Sequence, residues 1–86
     1  MDEHKLHDKS KAFIVKDGAV LHSMKDLYGH LSTIQDADFG HHVNAEKNDF
    51  ATWIEHAHGD KFVAAAMRQT TTKDEMRKVL FISMFR

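Results

Sequence analysis

Eight histidines stand among 86 residues that include no cysteine and no proline, and they are the side chains with the most chemistry to offer. Imidazole and carboxylate together make first-row metal sites, for zinc, nickel or copper above all. Asp38, His41 and His42 are close in sequence, and on a helix Asp38 meets His42 at i, i+4 and His41 at i, i+3. His56 and His58 flank Ala57, with Glu55 and Asp60 nearby. Asp38, His41, His42, His56 and His58 are therefore the candidate metal ligands. Their spacing works against a shared ion, because adjacent helical residues diverge by about 100° and i, i+2 residues by about 200°. No H-E-x-x-H motif occurs, and His4 and His7 near the N-terminus offer only a loose pair. The expectation is a protein without a resident cofactor, its histidines forming a titrating surface. Protonating all eight would move the formal charge from -1 to about +7, which makes a pH-dependent association conceivable.

A second constellation is His42, Asn44, Asn48 and Asp49, close to Trp53. It reads either as a polar ligand site or as the corner where two helices meet. Asn48 or Asp49 can accept hydrogen bonds from the free N–H groups that open a helix, and His42 can bridge to a carboxylate. The structural role is the expectation.

A third set lies near the C-terminus, where Met76, Val79 and Leu80 form one helical face and Phe81, Ile82 and Phe85 fall off it. They form either an exposed interface or a second buried face covered by a hairpin, and the sequence leaves the two open.

These groups need elements to hold them. Residues 1–11 read as a flexible polar tail and 12–86 as a single domain. The runs flanking Asp17-Gly18 are β-rich and predict a hairpin over about 13–22, with a two-residue type I′ turn that sets Val15 against Val20 and Ile14 against Leu21. Ser23 caps a helix over 24–34 through Met24, Leu27, Leu31 and Ile34. Asp36 caps a short helix over 37–43, which Asn44 stops. Phe50, Trp53, Ile54 and Ala57 mark the next helix, with Gly59 beyond its end. Asp60 caps a helix over 61–69 with Phe62, Val63, Ala66 and Met67 inward. Thr72-Lys73-Asp74-Glu75 is a capping box opening a helix over 73–85, whose second half, 79–85, is also strand-prone. The fold class is mostly α: an N-terminal β-hairpin and four or five short packed helices.

The middle of the chain carries Phe39, His42-Val43-Asn44, Lys47-Asn48-Asp49-Phe50, Trp53-Ile54 and Gly59-Asp60, preceded by Phe13, Asp17-Gly18, Leu21, Ser23 and Leu27. This pattern over residues 13–70 resembles a family of small archaeal and bacterial domains of unknown function with an H-V-N-x3-N-D-F-x2-W motif. The resemblance implies a mostly helical module, sometimes appended to other domains, and no activity. This chain departs from the pattern at Phe62-Val63-Ala64, where the family tends to carry a Leu-Ala pair.

Composition excludes several functions. The balance of 12 Lys+Arg against 13 Asp+Glu is not that of a nucleic-acid binder. A helix-turn-helix reading of 49–58 and 61–69 offers only Lys61, Arg68 and Gln69 toward a groove. No apolar run is long enough to span a membrane, and a cytoplasmic location is the default. No phosphate loop or nucleophile elbow occurs. The expectation is a non-enzymatic domain whose partner is another protein or a second copy of itself. The alternatives are a histidine-based metal or small-ligand binder and a helix-turn-helix-type DNA binder.

Overall fold

The computed structural model describes residues 11–85, so the expected tail, Lys11 excepted, lies outside the described residues, as do His4 and His7. The elements are β1 (Phe13–Ile14), β2 (Val20–Leu21), α1 (Met24–His30), α2 (Asp36–His42), α3 (Asp49–His58), α4 (Lys61–Arg68) and α5 (Lys73–Phe85). The protein is mostly α: among the described residues a short antiparallel hairpin is followed by five helices, and the strand-prone residues 79–85 are helical.

The hairpin corrects the expected register by one residue. Phe13 pairs with Leu21 and Ile14 with Val20. The turn has three residues, not two: Gly18 N–H donates to Val15 O at 2.8 Å, and Val15 N–H to Ala19 O at 2.8 Å. Only Gly18 has a positive φ, 98°, so Asp17 avoids the left-handed conformation that a type I′ turn demands. Asp17 Oδ1 instead accepts from Ala19 N–H at 2.9 Å. The slip decides which side chains face inward. Val15 and Leu21 are buried, while Ile14 and Val20 face out.

Helix starts follow local chemistry. Ser23 Oγ accepts from Asp26 N–H at 3.1 Å, Asn48 Oδ1 from Ala51 N–H at 2.9 Å, and Asp60 Oδ1 from Val63 N–H at 3.0 Å. At α5, Thr72 Oγ1 accepts from Glu75 N–H at 3.1 Å while Glu75 Oε1 accepts from Thr72 N–H at 3.3 Å, the reciprocal capping box. Gly59 closes α3 at φ 69°, the left-handed position that glycine tolerates best.

Three expectations fail at helix edges. The first helix ends at His30 rather than residue 34, because Ser32 Oγ and Thr33 Oγ1 take the carbonyls of Gly29 and His30 and the chain tightens into turns. Leu31 and Ile34 are buried all the same. Asp36 does not cap α2 but is its first residue, paired with Lys73 Nζ at 2.8 Å. Phe62, expected inward, is 72% exposed, whereas the buried residues of α4 are Val63, Ala64 and Met67.

A single core of buried residues joins these elements. α3 packs on α4, and α5 packs on both α1 and α4. Leu27, Phe50, Ile54, Met67, Met76 and Leu80 are wholly buried, each contributing about 1.5–3 kcal/mol by leaving water. Among the described residues no helix is long and apolar enough to cross a membrane.

Candidate functional site

The α2–α3 corner is built around His42, the last residue of α2 and 6% exposed. Its Nδ1–H donates to Asp49 Oδ2 at 2.9 Å, and its Nε2 accepts from Lys16 N–H at 3.0 Å. A backbone N–H can only donate, so Nε2 carries no proton and the ring is neutral, with its hydrogen on Nδ1. The ring also meets Phe13 edge-on at 5.1 Å and Phe50 at 5.2 Å. One side chain thus ties the hairpin turn to two helices.

Asp49 sits in the first turn of α3, where a negative charge suits the helix N-terminus. Burial pushes its carboxyl up, but hydrogen bonds from His42 and from Lys47 Nζ at 3.0 Å outweigh that and hold it below the usual carboxylate value. His41 is pushed down, by desolvation first and also by the positive charges of Lys47 and Lys16. Asn48 both caps α3 and donates to Met67 O at 3.3 Å, which pins α3 to the end of α4. Asn44 works apart from them: it donates to Gly40 O at 3.1 Å and accepts from Glu46 N–H at 3.0 Å, closing the end of α2. Trp53 lies on the hairpin side, its indole N–H donating to Lys11 O and its ring 5.8 Å from that of Phe13.

His42 itself therefore has no nitrogen left for a ligand. A hollow of about 290 Å³ beside it is lined by Asn44, Asn48, Lys47 and Arg68, but Lys47 already meets Asp49, and Arg68 meets Glu55 at 2.8 Å. That second pair also removes one of the three polar side chains that a recognition helix at 61–69 would have offered. The five candidate metal ligands do not converge. Both His42 nitrogens are occupied, the His58 ring lies edge-on to Trp53 at 4.9 Å, and His56 points to solvent. Among the described residues no group of three or more His, Asp or Glu side chains is arranged to hold a metal ion.

The outer face of α5 differs. Phe81, Ile82 and Phe85 are 49%, 61% and 70% exposed, so the hairpin does not cover them. The Phe81 and Phe85 rings lie 4.8 Å apart, and Phe81 lies 6.0 Å from Tyr28 of α1. The Arg77 guanidinium sits 4.7 Å above the Tyr28 ring. Tyr28, Asp74, Arg77, Lys78, Phe81 and Ile82 line a groove of about 640 Å³ between α1 and α5.

Sequence reasoning missed Tyr28, which reads as an ordinary helix residue. It also missed the pair of His30 Nε2 with Asp17 Oδ2 at 2.7 Å, which ties the turn to α1. Asp17 is held below the usual carboxylate value by the Ala19 hydrogen bond first and by His30.

No family model, curated protein or solved structure matches the chain.

Proposed function

We propose that the protein is a non-enzymatic interaction module that binds another polypeptide through the outer face of α5. The observation that carries this reading is the contiguous exposure of Phe81, Ile82 and Phe85 beside Tyr28. Scattered apolar side chains on a surface are ordinary, whereas a contiguous set lining a groove marks an interaction site. The three side chains leave roughly 350 Å² of apolar surface in water, equivalent to roughly 9 kcal/mol of gross hydrophobic gain on burial. Association itself costs about 4–15 kcal/mol, so the patch supports reversible rather than permanent binding.

Native mass spectrometry of tag-free protein gives the oligomeric state. A partner captured from the source cell by the wild type should be lost by Phe81→Glu/Phe85→Glu. Titration of the purified pair then verifies the contact. A folded double variant that keeps its partner with unchanged affinity sinks the reading.

A further inference from the structure

Along its outer stripe α5 presents, turn by turn, Asp74, then Arg77 and Lys78, then Phe81 and Ile82, then Phe85. The two cations stand at the mouth of the apolar groove. Among the described residues neither makes an ion pair, as is true also of Lys16, Lys25 and Lys61, but it is these two that line the apolar groove. The Arg77 Nε is buried without a hydrogen-bond partner. Anything that covers this groove strips water from both cations, and a desolvated cation requires an anion to offset the loss.

Resting on the docking reading above, we propose that the occupant is an acidic amphipathic helix of another polypeptide. Its carboxylates lie over the Arg77–Lys78 turn and its apolar side chains over Phe81, Ile82 and Phe85. Charge argues for this occupant against a second copy of the chain. An antiparallel two-fold pairing of α5 on itself sets Asp74 against Phe85 and the two cations against Phe81 and Ile82, so neither cation meets an anion. Shape argues against a membrane surface, because the site is a concave groove between α1 and α5 and Asp74 would face the anionic headgroups. Asp74 also sets the register: the partner carries no acid one turn beyond its carboxylates.

Fluorescence anisotropy with two labelled helical peptides of about 15 residues tests the assignment. Both carry leucines at i, i+3, i+4 and i+7; one has glutamates beside them and the other lysines. The acidic peptide should bind about ten-fold tighter at low salt, and the gap should shrink as salt is added. Lys78→Glu changes an exposed side chain, so its circular dichroism and melting temperature should match the wild type. It should narrow the preference about three-fold. Equal binding of both peptides leaves the docking face standing and overturns the acidic partner. Binding of neither overturns both. A wild-type dimer that Phe81→Glu/Phe85→Glu dissolves makes a second copy the occupant and overturns the proposal. So does binding to phosphatidylserine vesicles without binding to the acidic peptide.

Discussion

At the α2–α3 corner, a ring that is 6% exposed uses both of its nitrogens on the protein itself. On the outer face of α5, three large apolar side chains stand exposed beside a groove whose two cations make no ion pair among the described residues. The corner holds the residues with the richer chemistry by type, yet both nitrogens of its histidine are taken by the protein. The α5 face holds plainer residues whose demands are unmet. What a side chain has left over, rather than its identity, separates the corner from the face proposed to bind a partner.

The largest expected effect comes from breaking the corner. His42→Ala leaves the Lys16 N–H without its acceptor and a gap between Phe13 and Phe50, a loss of about 2–3 kcal/mol. For a domain of this size that lowers the melting temperature by roughly 10–20 °C, measured by circular dichroism. An unchanged melting temperature would return His42 to the list of ligand-binding candidates. Asn48→Ala removes the α3 cap and the tie to Met67, about 1–2 kcal/mol by the same measurement. Gly59→Ala forces a Cβ onto a residue at φ 69° and costs about 1 kcal/mol, although nothing crowds that position. Phe81→Glu/Phe85→Glu loses the ring contact to Tyr28, at most about 1 kcal/mol, and should leave the domain folded while abolishing partner binding. If this variant unfolds, the α5 face belongs to the core and the contrast disappears.

Acid probes the same corner. The Asp49 carboxyl is held below its ordinary value in the folded state. Its stabilising contribution is therefore full above the unfolded pKa of about 3.9 and is lost as pH falls through the folded value. Asp49→Asn should flatten that acid limb in melting temperature measured against pH. An identical acid limb in wild type and variant would show that other carboxylates carry it.

The sequence made some of this legible and hid the rest for a physical reason. Ser23, Asn48, Asp60 and Thr72 cap as their types predict, because a cap is a bond between residues three apart. The fold class and the two faces of the last helix follow equally from short-range spacing. The hairpin turn did not, since Asp17-Gly18 suits a two-residue and a three-residue loop alike, and only packing of Val15 and Leu21 selects between them. Phe62 misled because its type suggests burial, while the buried face of α4 runs through Val63, Ala64 and Met67. His42 was recognisable as a corner residue with a carboxylate partner. Its bond to Lys16, 26 residues away, was not, because no periodicity encodes a contact between separate elements.

α5 answers to two different constraints along one helix. Met76 and Leu80, both fully buried, bind it to the fold, whereas Phe81, Ile82 and Phe85 contribute no buried side chain to the core. Substitution of Ile82 or Phe85 therefore costs folding little, and the stripe can change its character while the scaffold beneath persists.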